Sequence, residues 1–172
     1  MSEYIPSPWD FVASHVELYE GSGGTEGVFF QDTEEMRNWC DAQENGPEFR
    51  RLADAARGIP TIIVTHRGRK TGAIRKTPLN TVVDGNNYIL VASLGGVPQN
   101  PQWVYNLRVD TNVEIRDGTQ VHSTRVREVV DPVERQRLWE IAVKAYPTYQ
   151  FYQEKTDRVF PLFVTDLRSV KT

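Results

Sequence analysis

Cysteine is nearly missing from this sequence, which has one, Cys40, among 172 residues. A single cysteine forms no intrachain disulfide, so we expect a buried thiol in a reducing compartment. Apolar runs of the ~18 residues that a membrane-spanning helix needs are missing too, as are the basic and apolar stretches of a secretion signal. These absences predict a cytoplasmic protein without an integral membrane segment. They leave open a peripheral contact at the inner face of the plasma membrane.

A large excess of either charge is also missing, since the formal net charge is −3. Nucleic acids select basic surfaces, so we expect no nucleic-acid partner; a single-stranded nucleic-acid module that stacks bases on Trp103 and Tyr149 is the most distant alternative. The three histidines lie far apart and no Cys/His pair has ligand spacing, so we expect no metal. Gly-x-Ser-x-Gly and Gly-x-Gly-x-x-Gly are absent, which disfavours a serine hydrolase and a Rossmann nicotinamide site.

The chain does have the composition of an ordinary globular protein, with 39% hydrophobic and 25% charged residues. Its length predicts one domain, 1–172. We expect residues 1–57 to form a helical segment with an insertion and residues 58–166 to form a cofactor-binding barrel. The first helix, ending near Gly21, is expected to dock on the protein's own core, because its acidic charge does not suit anionic lipid. The apolar stripe of this helix consists of Trp9, Val12, Val16 and Tyr19.

Short strands separated by turn signals follow from Ile59 onward. The pattern predicts strands at 61–65, 75–83, 88–92, 113–116, 120–129 and 159–165. Helices are predicted at about 101–108, from the Asp131-Pro132-x-Glu134 start signature onward, and at about 147–157. Because β-α-β alternation is missing, the order favours an α+β, mainly β antiparallel barrel over a doubly wound parallel sheet.

The strongest local signal is the segment His66–Lys76, whose charged part, Arg67–Lys76, we define as the cationic bend. It carries five cations and no acid in a protein of net negative charge. Gly68 and Gly72 let the backbone turn and present N–H groups, while the Arg and Lys side chains supply positive charge. The bend suits a phosphate or a polycarboxylate tail; a solvated hairpin tip explains the charges equally well.

A second signal is a group of three tyrosines, Tyr146, Tyr149 and Tyr152, called here the tyrosine cluster. On one helix they would span roughly 120° and share a face. Phenols on a shared face can stack on a flat ring and donate hydrogen bonds to a developing oxyanion. An aromatic stripe in the core is the alternative interpretation.

A third signal begins with Ser93 at a strand end, where the paired glycines Gly95-Gly96 would let a planar ring approach the backbone. Asn100 can cap the short helix that follows. This helix places Trp103 and Asn106 three residues apart on one side. A loop with a packing tryptophan is the alternative.

These three segments, in this order, resemble the deazaflavin-dependent nitroreductase family of actinobacteria. The matching residues are Gly68-Arg69-Lys70-Thr71-Gly72, Arg75 with Thr77-Pro78-Leu79, Val91-Ala92-Ser93 with Gly95-Gly96, Asn100-Pro101 with Trp103 and Asn106-Leu107, and Tyr146-Pro147-x-Tyr149-Gln150-x-Tyr152 with Thr156-Asp157-Arg158. The sequence departs from the family at Leu94, where relatives usually carry lysine, and at Val104, where they often carry tyrosine. The resemblance implies a split β-barrel of the FMN-binding type with flanking helices. It also implies reduced coenzyme F420, an 8-hydroxy-5-deazaflavin with a phosphodiester and an oligoglutamate tail, as the cofactor.

The resemblance further implies residue roles. The implied cofactor-binding residues are Arg69, Lys70, Thr71, Gly72, Arg75, Lys76, Thr77, Pro78, Leu79, Ala92, Ser93, Gln102, Trp103, Asn106 and Tyr149. Tyr149 is the implied catalytic residue, which donates a hydrogen bond or proton to the reduced acceptor, assisted by Tyr146, Tyr152 and Ser93. The implied function is an oxidoreductase of the quinone reductase or nitroreductase type, which transfers a hydride from F420H2 to a small-molecule quinone, nitroaromatic or enone-type acceptor.

Several alternatives stay open at this point. The protein could be a non-catalytic deazaflavin-binding carrier, or an FMN-dependent split-barrel oxidoreductase. Barrel relatives often pair, which leaves a homodimer open. The segment 29–56 is longer than in relatives, and we expect it to form a flap over the acceptor pocket.

Overall fold

The computed structural model describes residues 2–29, 34–42 and 44–167. In these ranges, seven antiparallel strands form one curled sheet in the order β2-β1-β5-β6-β7-β4-β3. The strands are β1 (Thr61–Arg67), β2 (Ile74–Asn80), β3 (Val83–Asp84), β4 (Asn87–Val91), β5 (Asn112–Asp117), β6 (Gln120–Glu128) and β7 (Leu162–Thr165). This curled half-barrel confirms the predicted antiparallel split barrel.

Helices flank the sheet. They are α1 (Asp10–Gly21), α2 (Glu34–Asp41), α3 (Gly46–Ala55), α4 (Gln102–Val109), α5 (Pro132–Ala145) and α6 (Thr148–Glu154), with a short 3₁₀ turn at Leu94–Gly96. Asp131 caps α5 as predicted, because its carboxylate accepts a hydrogen bond from the Glu134 backbone N–H at 2.8 Å. The cap predicted for α4 was wrong by one residue: Pro101 occupies that position, and Asn100 binds Arg158 instead.

The predicted strand 75–83 is in fact two strands, because the chain changes sheet edge there. Strand β2 forms one edge and β3 forms the other. Thr81 and Val82 alone connect them. The Thr81 N–H donates to the Pro60 carbonyl at 2.8 Å, and the Val82 carbonyl accepts from the Ile89 N–H at 2.9 Å. The curl of the sheet therefore brings its two edges together at this crossover.

Apolar side chains cover the sheet in two main clusters. The first joins β1, β4 and β5 to α4 and includes Ile62, Leu90, Leu107 and Ile115, all 0% exposed. The second packs α5 and the tyrosine cluster on β4 and β7. Burying each large aliphatic side chain contributes ~1.5–3 kcal/mol, so these clusters fix α4, α5 and α6 on the sheet.

Helix α1 docks on the sheet, as predicted. Val16 and Tyr19 are buried against Ile63. Trp9, predicted to belong to the same stripe, precedes the helix, which begins at Asp10; its ring stacks on another aromatic ring and is 52% exposed. No helix in the described ranges is long and apolar enough to cross a membrane.

Helices α2 and α3 carry the predicted flap, of which residues 30–33 and 43 lie outside the described ranges. Glu48 of α3 pairs with Lys155, just after α6, at 2.8 Å. The Arg51 guanidinium lies 5.5 Å from the centroid of the Phe151 ring on α6. The described part of the segment is therefore attached to the helix that holds Tyr149 and Tyr152, and its role above an acceptor stays a prediction.

Candidate cofactor and acceptor site

The cationic bend is a tight turn between β1 and β2 that is hydrogen-bonded within itself. The Gly68 N–H donates to the Ala73 carbonyl at 2.8 Å, and the Gly72 N–H donates to the Gly68 carbonyl at 2.8 Å. The Thr71 hydroxyl accepts from the Ala73 N–H at 3.2 Å. Gly72 has φ +69°, a left-handed conformation that favours glycine. These internal hydrogen bonds therefore fix the conformation of the turn by themselves.

Positive charge at the tip of the bend is uncompensated. Among the described residues, no carboxylate pairs with Arg69 or Lys70, and both side chains are exposed. The Arg69 guanidinium lies over the Tyr105 ring at 5.4 Å. At the end of the bend, Arg75 donates to the Ile5 carbonyl at 3.3 Å. The tip therefore offers two cations to an anion from solution.

Strand β2 divides the other predicted cofactor residues between two faces, because successive side chains of a strand alternate. Lys76 lies on the α1 face, where its Nζ donates to the Glu20 carboxylate at 2.7 Å, and both side chains are mostly buried. Pro78 shares that face. The opposite face carries Arg75, Thr77 and Leu79. Lys76 is thus already paired inside the protein, and its predicted contact with the cofactor stays a prediction.

Asn106 connects α4 to the bend. Its Oδ1 accepts a hydrogen bond from the Arg69 backbone N–H at 3.0 Å, and its Nδ2 lies 3.3 Å from Nδ1 of His66. His66 Nε2 in turn lies 3.2 Å from the Thr77 hydroxyl oxygen. Burial lowers the pKa of His66 to about 4, so its ring is neutral near pH 7. Sequence reasoning included His66 in the basic segment but took it for an ordinary histidine, because its partners Asn106 and Thr77 lie on two other elements, α4 and β2.

The loop after β4 is held by Arg158. Its guanidinium donates to the backbone carbonyls of Ala92 and Ser93, both at 2.9 Å, to the Val97 carbonyl at 3.1 Å and to Asn100 Oδ1 at 2.7 Å. The resemblance included Arg158 in a matching motif but assigned it no role. An arginine between an aromatic helix and a strand does not reveal partners 58 to 66 residues away.

The paired glycines bring this loop against α6. Gly96 has φ +82°, and a Cβ there would lie 2.5 Å from the Tyr152 carbonyl oxygen. Gly95 has φ +64° with open space around it. Leu94 has φ +41°, rare for a residue other than glycine, and is 37% exposed. The Ser93 loop and the tyrosine cluster are thus in direct backbone contact.

The three rings of the tyrosine cluster meet, but only Tyr149 and Tyr152 lie on α6. Tyr146 is the C-cap of α5, because Pro147, which has no N–H, cannot continue that helix. The prediction of one shared helix face was therefore wrong. The rings still touch: the centroids of Tyr146 and Tyr149 are 4.8 Å apart, and the hydroxyls of Tyr146 and Tyr152 are 3.4 Å apart.

Burial raises the pKa of all three phenols of the cluster. Tyr149 is only 4% exposed, and its phenol forms a hydrogen bond with the Asn80 side chain. A phenol that stays protonated can donate a hydrogen bond or a proton. The rings also belong to the second apolar cluster, with Leu138 and Ala142, so the core interpretation describes their packing correctly.

Trp103 and Val104 of α4 belong to the core. Trp103 is 6% exposed and meets the Phe163 ring edge-on at 5.7 Å. Val104 is completely buried in the same cluster. Gln102 is exposed in the first turn of α4. The cofactor contacts predicted for Trp103 and Gln102 stay predictions.

Strand β2 links the two ends of the candidate site. Arg69 and Lys70 lie in the turn before it, and its last residue, Asn80, contacts Tyr149. At about 3.3 Å per residue, a strand of this length spans ~20 Å. The bend and the tyrosine cluster therefore lie near opposite ends of one strand, a separation that suits an elongated ligand.

Two open depressions, of about 440 and 350 Å³, lie on the described surface, and the first of them borders the bend at Arg67 and Ile74, next to His66. The first crosses β1, β5 and β6, and the second follows α5 and α6. Ser93 and Tyr149 line neither of them. The residue chemistry, rather than these depressions, locates the site.

Comparison with known proteins identifies the family. The family model described as F420H(2)-dependent quinone reductase matches residues 35–166, more than half of the chain. The chain belongs to this family. A curated F420H(2)-dependent quinone reductase of Mycobacterium tuberculosis is 34% identical over 122 residues, which are 69% of this chain and 81% of the relative. A second protein of that organism, assigned the same activity, is 37% identical over 106 residues, which are 62% of this chain and 88% of the relative.

Solved structures support membership of the F420H(2)-dependent quinone reductase family. The F420H2-dependent reductase FDR-A is 38% identical with a TM-score of 0.58, covering 62% of this chain and 93% of FDR-A. A second structure, described as a domain-swapped dimer, is 32% identical with a TM-score of 0.61, covering 93% of this chain and 100% of that one. The resemblance to deazaflavin-dependent reductases is therefore confirmed at the level of family and fold.

The residues present fit the cofactor of this family. An anionic tail requires cations without internal partners, which Arg69 and Lys70 provide at the bend. A flat ring requires a loop that lets it approach, and the Ser93 loop has open space at Gly95. Proton donors lie beside that loop in the tyrosine cluster.

Proposed function

We propose that this protein uses F420H2 to reduce a quinone, nitroaromatic or enone-type acceptor by hydride transfer. The observation that carries the proposal is the path of β2, which begins after Arg69 and Lys70 and ends at Asn80 beside Tyr149. The two ends of this path supply what an elongated cofactor with an acidic tail and a flat ring requires. Family membership supports the same cofactor.

The site residues then have distinct tasks. The bend binds the tail through charge, with Arg69 and Lys70 at its tip. The Ser93 loop, held by Arg158, would contact the deazaflavin ring. Bound F420H2 supplies the hydride. Positioning the acceptor against the ring is the main contribution of the protein to the rate.

Tyr149 holds the proton that the reduced acceptor needs. Its phenol stays protonated because burial raises its pKa, so the hydroxyl donates towards an oxygen on which negative charge develops. Tyr146 and Tyr152 assist, since their hydroxyls lie 3.4 Å apart. Tyr149 is 4% exposed, so we infer that α6 must shift for an acceptor to reach it.

One experiment tests the reaction and its alternatives. Purified protein is mixed anaerobically with F420H2 and a panel of quinones, nitroaromatics and enones, and recovery of F420 fluorescence is followed. Acceptor-dependent oxidation of F420H2 supports the reductase. Binding of F420 without oxidation by any acceptor supports a carrier, and a tightly held flavin in the purified protein supports an FMN enzyme. Absence of F420 binding overturns the proposal.

We also propose a homodimer in a cytoplasmic setting, with peripheral membrane contact through the N-terminal segment. A related structure described as a domain-swapped dimer supports pairing. Exposed apolar side chains near the N-terminus, Tyr4, Ile5 and Trp9, support the contact, although the acidic α1 gives no attraction to anionic lipid. Light scattering at several protein concentrations and sedimentation with neutral and anionic vesicles test these two points.

A further inference from the structure

Four polar groups form a row that crosses three elements beside the bend. The row runs from the Arg69 backbone N–H to Asn106 on α4, then to His66 on β1, and ends at the Thr77 hydroxyl on β2. Its three contacts measure 3.0, 3.3 and 3.2 Å. Asn106 and His66 are 8% and 4% exposed, so no bulk water replaces these contacts.

The direction of each hydrogen bond in the row follows from its first member. A backbone N–H can only donate, so the Asn106 atom facing Arg69 is the carbonyl oxygen, and the amide nitrogen faces His66. That nitrogen carries only hydrogens, so in this contact His66 Nδ1 accepts; the Arg67 backbone, which also acts on the ring, favours the protonated form and opposes this arrangement. A neutral imidazole with a bare Nδ1 carries its hydrogen on Nε2 and donates it to the Thr77 oxygen.

The end of the row is a hydroxyl that accepts from His66 and still has its own hydrogen to donate. Among the described residues, none accepts that hydrogen at hydrogen-bond distance. Thr77 is half-buried and lies on the same face of β2 as Arg75, whose positive charge also acts on His66. A donor beside a guanidinium and next to the cationic bend suits a negatively charged oxygen.

We propose that Asn106 and His66 act as positioning residues that fix the Thr77 hydroxyl as a hydrogen-bond donor to an anionic oxygen in the tail of the cofactor. This inference rests on the proposed function. It gives the buried His66 a role in cofactor recognition. The tautomer of His66 determines the direction in which the Thr77 hydroxyl, on the neighbouring strand, donates its hydrogen. The competing interpretation is that the row only fastens α4 to the sheet.

A binding cycle separates the two interpretations. The dissociation constant of F420 is measured by fluorescence for the wild type, His66→Phe, Thr77→Val and the double variant. Loss of a hydrogen bond to a charged group weakens binding by about tenfold or more, and we expect this from each single variant. The double variant should bind as Thr77→Val does. If His66→Phe costs as much without the Thr77 hydroxyl as with it, His66 does not act through Thr77 and the proposal is overturned.

Two further variants and a second ligand sharpen the test. His66→Gln can accept from Asn106 and donate to Thr77 in the same direction, so its affinity should return close to that of the wild type. His122→Phe, a histidine substitution on β6, and Thr124→Val are matched controls that should change nothing. A deazaflavin with its ribityl chain but no phosphodiester should bind Thr77→Val and wild type equally; a loss with this ligand would place the contact away from the tail.

The tautomer can be measured without any substitution. Long-range ¹H–¹⁵N spectra of the wild-type protein should show a protonated Nε2 and a bare Nδ1 on His66. The opposite tautomer overturns the inference even if the variants fail to fold. If the wild type binds no F420, the proposed function and this inference both fall; if it binds F420 and Thr77→Val binds equally well, this inference alone is wrong.

Discussion

Arg158 donates to the Ser93 carbonyl at 2.9 Å, although 65 positions separate the two residues in the chain. The same guanidinium stacks over the Phe160 ring, 4.6 Å from its centroid, which limits its freedom. The segment after α6 therefore sets the shape of the loop after β4. A substitution in one of these two segments is therefore expected to alter the conformation of the other.

Replacing Arg158 should therefore affect both stability and turnover. Arg158→Ala leaves three carbonyls and one amide oxygen without this donor, so we expect the free energy of unfolding to fall by about 2–3 kcal/mol. A displaced Ser93 loop should lower kcat for menadione by about tenfold or more. Arg158→Lys, which keeps the charge and part of the bonding, should lie between the two proteins. Arg127→Ala removes an exposed ion pair and should cost under about 1 kcal/mol; equal losses in both variants would contradict the role of Arg158.

Alanine at Gly96 should be worse than alanine at Gly95. Both positions have positive φ, so each substitution costs roughly 1–2 kcal/mol of backbone strain. At Gly96 the new Cβ would also collide with the Tyr152 carbonyl and push α6 away, whereas Gly95 has open space. Thermal unfolding and menadione turnover of the two variants provide the comparison. If the two variants have similar stability and turnover, the close contact between the Ser93 loop and α6 is not required for activity.

Removing the Tyr149 hydroxyl should slow reduction without loosening the cofactor. For Tyr149→Phe we expect a fall in kcat with menadione on the order of 10²-fold, because one well-placed donor to the developing charge is lost. Tyr88→Phe is the matched control. It removes a phenol that lies outside the candidate site and donates a hydrogen bond to Asp117 at 2.7 Å. An unchanged rate in Tyr149→Phe would exclude this hydroxyl from the mechanism.

The effect of removing a positive charge at the bend should depend on whether that side chain already forms an ion pair within the protein. Lys70→Ala should weaken F420 binding, and Arg75→Ala should do so by ~1.5–3 kcal/mol, the value of a charge-assisted hydrogen bond. Lys76→Ala should mainly lower stability, because Glu20 then loses its partner. Fluorescence titration, with Lys144→Ala on α5 as the control, measures the affinities. Wild-type affinity in both Lys70→Ala and Arg75→Ala would refute the assignment of the bend.

Acid should destabilise the protein partly through His66. Burial, aided by the charge of Arg75 and opposed by the Arg67 backbone, lowers its pKa to about 4, against 6.5 in the unfolded chain. Between these values the unfolded state binds a proton that the folded state does not, so stability falls as the pH falls through this window, by about 3 kcal/mol in all. Denaturant unfolding of wild type and His66→Gln should show a difference that changes between pH 6.5 and 4. A constant difference would mean that His66 titrates normally.

Local sequence patterns predicted most strands, because they are short runs bounded by turn signals, and several of these runs are rich in β-branched residues. They also predicted that the bend and the phenols are distinctive. Period-2 alternation could have separated Lys76 from Arg75, since neighbours on a strand face opposite sides. The shared helix for Tyr146 and Tyr149 was wrong because the proline between them ends one helix and starts another.

The contacts that define the site come from distant parts of the chain and leave no local trace. His66 and Asn106 are 40 positions apart, and Arg158 reaches Ala92 across 66. The residues around His66 do not distinguish a histidine that belongs to the row of hydrogen-bonded polar groups from an ordinary strand histidine. Such pairs depend on how the sheet curls and where α4 docks, which spacing alone does not specify.

The attachment of α3 to α6 has a consequence for substrate range. Glu48 and Arg51 hold Lys155 and Phe151 on the outer side of the helix whose inner side carries Tyr149. Any outward movement of α6 to admit a bulky molecule has to move α3 as well or break these two contacts. We therefore expect α2 and α3 to limit this movement, so that shortening the segment that carries them would widen the range of acceptors.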